Sequence, residues 1–130
     1  MATKQEKPAK IDDAEYEAAM NEAKNSVGAF TYEFPSPFVY EGEEFKALSF
    51  NFDGLTGADS RAIESEMAAA NMPLFIPELS GDYLIRMAMR ACTNRRADGR
   101  KLDIDAFKAL PLTAYVKIRG RARSFLMRAE

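Results

Sequence analysis

The chain has no histidine, no tryptophan and a single cysteine, Cys92, among its 130 residues. Without histidine it cannot form a Ser-His-Asp or Cys-His nucleophile system. One cysteine supports neither an intrachain disulfide nor the usual Cys/His zinc site. No GxxxxGK(S/T) or GxGxxG phosphate-binding loop occurs. Only carboxylate-based metal or acid–base chemistry remains open, so we expect a protein that is not an enzyme and uses no cofactor.

Long apolar runs are also missing. No stretch approaches the roughly 20 apolar residues that span a bilayer, and the residues after Met1 are polar and lysine-rich, unlike a secretory signal. A chain of 130 residues that is 47% hydrophobic suits one modest globular domain. We therefore expect a cytoplasmic protein with no membrane partner, in which a single domain, 27–130, follows a flexible or weakly helical segment, 1–26.

Within that first segment, residues 12–25 have a helical pattern. Asp12 and Glu15 have capping-box spacing. A thin apolar stripe follows at helical spacing, made of Tyr16, Ala19, Met20 and Ala23. A helix this short and weakly apolar is not stable alone. It either docks on the domain or becomes ordered on a partner.

The next part of the chain predicts a β-hairpin. The first strand begins near Phe30, and the sequence Glu41-Gly42-Glu43 predicts a tight turn. The second strand, 45–52, alternates apolar and polar residues. Pro35 and Pro37 cannot donate to a sheet ladder, so the first strand is an edge strand or is interrupted there. Eight aromatic rings lie between residues 30 and 52, too many for one face of a hairpin, so some pack on helices and some face a partner.

Four helices are predicted after the hairpin. Thr56, Ser80 and Asp103 are predicted N-caps, and Pro111 suits the first turn of the last helix. The second helix, 80–94, is the most apolar, and in it Cys92 is predicted to be a small buried residue. The last helix has a predicted apolar stripe of Leu112, Tyr115, Val116, Ala122, Phe125 and Leu126. The predicted fold is α+β, an N-terminal β-hairpin packed on a small bundle of about four helices.

Charge is distributed unevenly along the chain. Residues 1–85 contain six Lys/Arg and sixteen Asp/Glu, whereas residues 86–128 contain twelve Lys/Arg and three Asp/Glu. The basic half either neutralises the acidic half, in its own fold or in a neighbouring copy, or binds nucleic acid. Only two aromatic residues interleave with the last basic cluster, and no nucleic-acid-binding motif is present. We favour neutralisation, with head-to-tail self-association as a natural use of opposite charges.

One region of the chain resembles a known family. The residues are Phe34-Pro35, Tyr40-Glu41-Gly42, Phe45, Leu48, Phe52-Asp53 and Leu55-Thr56-Gly57-Ala58-Asp59. Their order resembles that of the tail assembly chaperones of long-tailed bacteriophages and prophages, over roughly residues 30–127. The resemblance implies a protein that binds the tape measure protein, keeps it soluble and helps recruit tail tube subunits. It also implies a protein that works in the host cytoplasm and is absent from the mature virion, and it carries over no catalytic residue.

A contact surface for such a client is expected on three parts of the chain. The predicted contact residues are Phe34, Phe38 and Tyr40 on the hairpin, Met72, Leu74 and Phe75 in a proline-bounded loop, and Arg119, Arg123 and Phe125 on the last helix. The alternative function is a small nucleic-acid-binding or regulatory protein that uses the Arg-rich last helix. A third reading is a structural tail component that is kept in the virion.

Overall fold

A computed structural model of the chain describes residues 28–128. The predictions made for 1–26, including the helix over 12–25, lie outside this range. Two strands come first and four helices follow, with single 3-10 turns at Phe52–Gly54 and Pro77–Leu79. The strands are β1 (Ala29–Tyr40) and β2 (Glu43–Asn51), and the helices are α1 (Gly57–Ala69), α2 (Gly81–Ala91), α3 (Ile104–Lys108) and α4 (Leu112–Arg128). The predicted α+β fold is confirmed.

The two strands form an antiparallel hairpin that closes with a two-residue turn. Glu41 and Gly42 both have positive φ angles, 51° and 84°, which is the combination required by a type I′ turn. The predicted turn is confirmed, although Glu43 already belongs to β2.

β1 is interrupted by a wide bulge at its two prolines. Glu33 pairs with Ala47 and Phe38 pairs with Phe45, so residues 34–37 face the single residue Lys46. Because the prolines fall inside this bulge, their missing N–H groups cost the ladder no hydrogen bond. The predicted interruption is confirmed. The bulge also places Phe34 beside Phe38 on the buried side, with ring centres 5.4 Å apart.

The outer edge of β2 is covered by the segment that follows α2. The Thr93 amide donates to the Ser49 carbonyl over 2.8 Å. The Asn94 side chain continues the pairing, because its Oδ1 accepts from the Ser49 amide at 2.8 Å and its Nδ2 donates to the Ala47 carbonyl at 3.0 Å. One side-chain amide therefore replaces a backbone peptide in satisfying this edge.

This edge contact explains why α2 is shorter than predicted. The helix ends at Ala91 instead of Asn94, because the backbone becomes extended at Cys92 and forms a bridge with Phe50. Cys92 is buried, as predicted, and burial raises the pKa of its thiol to about 11.

Three predicted N-caps are confirmed by hydrogen bonds. Asp59 Oδ2 accepts from the Thr56 amide at 2.8 Å, as in a capping box. The Ser80 hydroxyl accepts from the amide three residues on at 3.1 Å, and the Asp103 carboxylate does the same at 3.0 Å. These caps set the starts of α1, α2 and α3.

The core lies between the inner face of the hairpin and the helices. α2 is central, with seven of its eleven residues buried, and it packs against both α1 and α4. A row of stacked rings joins the two layers: Phe50 lies 6.0 Å from Phe52, which lies 5.5 Å from Phe125 on α4. The hairpin and the helices therefore share one hydrophobic core.

Candidate protein-binding surface

The two faces of α4 have opposite environments. Ala114, Ile118 and Ala122 recur every fourth residue and are fully buried. The opposite face carries five residues at helical spacing, which we call the α4 strip: Leu112, Val116, Arg119, Arg123 and Met127. Its three apolar members are 75%, 43% and 61% exposed, in chain order. Exposed apolar side chains at regular spacing on one helix face are typical of a protein-binding surface.

A second exposed apolar segment adjoins this strip. In residues 75–79, which we call the 75–79 turn, Phe75, Ile76 and Leu79 are 85%, 53% and 69% exposed. The Arg123 Nε donates to the Glu78 carbonyl at 3.1 Å, and the Arg119 guanidinium lies over Gly81 just beyond the turn. The two arginines thus join the turn to the α4 strip, and the combined surface is apolar with two cationic groups at its centre.

A shallow cavity of about 740 Å³ opens on the other side of the turn. Its walls come from α1 and from the proline-bounded loop, and include Met67, Met72, Leu74, Phe75 and Pro77. Met72 and Leu74 pack partly against the core. This cavity extends the apolar surface from the turn towards the end of α1.

Three arginines of the basic half form ion pairs inside the fold. Arg86 contacts Glu66 at 2.9 Å and Arg90 contacts Asp59 at 2.8 Å. At the hairpin turn, Arg96 contacts Glu41 at 3.0 Å and Glu43 at 3.2 Å. Each pair joins the basic second half of the sequence to its acidic first half. Neutralisation within the fold therefore accounts for these three arginines.

Asp59 takes part both in the ion pair with Arg90 and in the capping box of α1. The Thr56 amide and the Arg90 guanidinium both donate to its carboxylate, and together they hold the pKa of Asp59 below its usual value. Asp59 and Arg90 line a groove of about 560 Å³ between α1, α2 and residues 101–104. The groove has three basic side chains and three acidic ones, which are Arg86, Arg90, Lys101, Asp59, Glu66 and Asp103. This balance gives the groove no excess positive charge with which to attract phosphates.

The arginines of α4 also contact aromatic rings. Arg119 lies over Tyr115, 5.4 Å from the ring centre, and Arg121 lies over Phe30 at 4.6 Å. Such contacts orient a guanidinium without removing its charge. Arg119, held over Tyr115, and Arg123, held by the Glu78 carbonyl, therefore present fixed positive charges beside the exposed apolar side chains.

The structure brings only some of the predicted contact residues to the surface. Phe34 and Phe38 are 9% and 7% exposed and belong to the core, because the bulge turns both inwards. Tyr40 is half-buried under the Arg96 guanidinium, 5.1 Å from the ring centre. Phe125 is half-buried in its stack on the hairpin.

The remaining predicted residues are placed together. Met72 and Leu74 line the cavity, Phe75 is highly exposed in the turn, and Arg119 and Arg123 lie on the α4 strip. Leu79, Leu112, Val116 and Met127, which form much of the apolar part of the surface, were not among the named contact residues. The prediction placed Leu112 and Val116 on the inner stripe of the last helix, whereas the structure exposes both. The repeat Ala114, Ile118, Ala122 was the signal for the true inner face.

Residues 28–128 contain no helix with the length and apolarity needed to cross a membrane. Over the same range, no group of three acidic or cysteine side chains is close enough to hold a metal ion. Comparison of the chain with protein-family models, curated proteins and solved structures found no match.

Proposed function

We propose that this chain is a bacteriophage tail assembly chaperone. It binds the tape measure protein in the host cytoplasm, keeps it soluble and helps recruit tail tube subunits. It then leaves before the virion is complete. The proposal is supported by the resemblance over roughly residues 30–127, whose quoted motifs lie between Phe34 and Asp59, and by the exposed surface formed by the α4 strip and the 75–79 turn. That surface is the observation that carries the proposal.

The chemistry of the surface favours an amphipathic helix as its ligand. Leu79, Leu112 and Val116 offer apolar contacts to the ridge of such a helix. Arg119 and Arg123 suit acidic residues beside that ridge. A long helical tape measure protein would present many such sites in succession. Modest affinity at each site would then add up along one client.

Co-expression with the tape measure protein of the same genome tests this proposal. After affinity purification, the mass of the complex gives the number of chaperone copies per client. The first variant is Leu112→Ser, which removes an apolar side chain that is 75% exposed. The matched control is Val39→Ser, next to the hairpin turn on β1, which also removes an exposed apolar side chain, 61% exposed, outside α4 and the 75–79 turn.

The expected result is a soluble complex with several copies per client, a client that precipitates alone, and weaker recovery with Leu112→Ser only. A client that stays insoluble while this chain elutes alone contradicts the proposal. Elution with nucleic acid, lost steeply as salt is raised, also contradicts it and supports the nucleic-acid alternative. Arg121→Glu together with Arg123→Glu should abolish retention only in that case.

A further inference from the structure

The α4 strip is matched in charge by a segment of the same chain that lies outside the described residues. α4 contains five basic residues and no acidic residue. Residues 12–25 contain five acidic residues and one lysine, with Tyr16 and Met20 spaced to share one helix face. The segment thus has the properties expected of a ligand for the strip, apolar side chains flanked by negative charge.

The connection between the segment and the domain is short enough to favour contact. Phe30, at the start of β1, lies under the Arg121 guanidinium at 4.6 Å, so the chain enters the domain beside α4. Seven residues lie between Met20 and Gly28. With 20–25 helical at about 1.5 Å per residue and 26–28 extended at about 3.3 Å per residue, the chain spans up to about 17 Å. A helix with its side chains is about 10 Å across, so the segment is long enough to pass around α4 and reach Val116.

We propose that residues 12–25 bind the α4 strip of the same molecule and cover it until a client displaces them. Because only residues 26 and 27 separate the segment from the domain, its effective concentration at the strip is on the order of millimolar. The same segment of a second copy, present at micromolar concentration, therefore competes poorly for the strip with the molecule's own segment. Binding of the segment stands independently of the client's identity, and only its role as a competitor of the client rests on the proposed function.

Chemical cross-linking in the full-length chain tests the proposal without any client. The variant Met20→Cys with Val116→Cys places one thiol in the segment and one on the strip. Cys92 is buried with a raised pKa, so it stays outside the reaction under native conditions. A short bismaleimide is added at micromolar protein, and peptide mass spectrometry assigns the product. The control pairs Met20→Cys with Ser124→Cys, an exposed position on another side of α4 and nearer the start of β1.

Charge reversal then asks whether the predicted ion pairs guide the contact. Arg119→Glu with Arg123→Glu should lower the cross-linking rate by roughly fivefold. Lys117→Glu, on a different side of α4, should leave it unchanged. Because both strip arginines also contact the domain, Asp13→Lys with Glu17→Lys provides the same test from the segment side. Combining both reversals should restore the rate.

Three outcomes would overturn the proposal. The first is faster cross-linking at Ser124→Cys than at Val116→Cys, which indicates random collision. The second is a rate that no charge reversal changes. The third is a product that joins two molecules, which assigns the strip to a second copy. None of these outcomes depends on the tape measure protein, so they are distinct from failure of the chaperone assignment.

Discussion

Asn94→Ala should destabilise the fold more than any other substitution of a single uncharged polar side chain in the segment after α2. The Asn94 side chain satisfies two backbone groups of β2, the Ser49 amide and the Ala47 carbonyl. Alanine cannot bond to either group. Both would then depend on water at a position that is only partly accessible.

The magnitude follows from the two hydrogen bonds. Each contributes about 1 kcal/mol net, and a buried group that loses its partner costs about 1–3 kcal/mol. Because Asn94 is half-buried and water replaces part of the loss, we expect a decrease of about 2 kcal/mol in the free energy of unfolding. Asn94→Asp tests the hydrogen bonds at nearly constant shape. It keeps the acceptor for Ser49 but puts a carboxylate oxygen against the Ala47 carbonyl, so at neutral pH it should cost at least as much.

Urea unfolding followed by circular dichroism measures these differences. A loss of about 2 kcal/mol lowers the midpoint by about 1–2 M for a domain of this size. Thr93→Ala is the control, because it removes only an exposed hydroxyl contact of 3.3 Å to the Ser49 carbonyl. It should change stability by about 0.5 kcal/mol or less. A decrease below about 0.5 kcal/mol for Asn94→Ala would refute the claim that its side chain completes the sheet edge.

The other predictions concern a thiol, two glycines and an ion pair. Burial raises the pKa of Cys92 to about 11, so the folded state favours the neutral thiol. This preference stabilises the folded state in full below the unfolded pKa of about 9, and the stabilisation is lost as the pH rises to about 11. Cys92→Ala should lack this part of the pH dependence of stability in urea unfolding. Gly120→Ala should stabilise α4 by about 1 kcal/mol, because a Cβ there meets open space. Gly42→Ala should instead destabilise the hairpin by about 1 kcal/mol, because φ is +84°; thermal unfolding compares the two, and equal effects would contradict the backbone argument. Arg86→Ala should cost about 2 kcal/mol by leaving Glu66 without its 2.9 Å partner. Arg86→Met should cost less because it retains the buried side-chain volume, and an equal loss in urea unfolding would show that packing contributes little.

The sequence contained the local signals for most of the fold. Thr56, Ser80 and Asp103 cap their helices through bonds to residues three positions away, and Gly42 readily adopts the positive φ that the two-residue turn requires. Such features depend on neighbours along the chain. Residue type and spacing could therefore locate these caps and this turn without any knowledge of tertiary contacts.

The direction in which side chains point depended on contacts that the sequence does not display. At the bulge, four residues of β1 lie opposite one residue of β2, and the two phenylalanines at its ends, Phe34 and Phe38, are both buried in the core. On the last helix, Leu112 and Val116 are more hydrophobic than the alanines, yet Ala114 and Ala122 face inwards. Small side chains allow close approach to α2, and this packing requirement outweighs the larger apolar area of the residues left outside.

The candidate surface was predicted in part for the same reason. Phe75 was identified from its place in an apolar loop bounded by prolines, and Arg119 and Arg123 from the charge of the last helix. The structure places the two arginines beside the turn. Leu79 and Met127 were not among the named contact residues. Their exposure results from where the 75–79 turn and α4 meet, which is a tertiary property.

The separation of the two faces of α4 has a consequence for how such a chain can diverge. The residues that hold the helix against α2 and those that form its outer surface share no position. Under the proposed function, substitutions at Leu112, Val116 or Met127 would therefore alter client recognition without loosening the core, whereas enlarging Ala114 or Ala122 would push the helix away. A lineage can exchange its binding partner through a few outward positions and keep the same scaffold throughout.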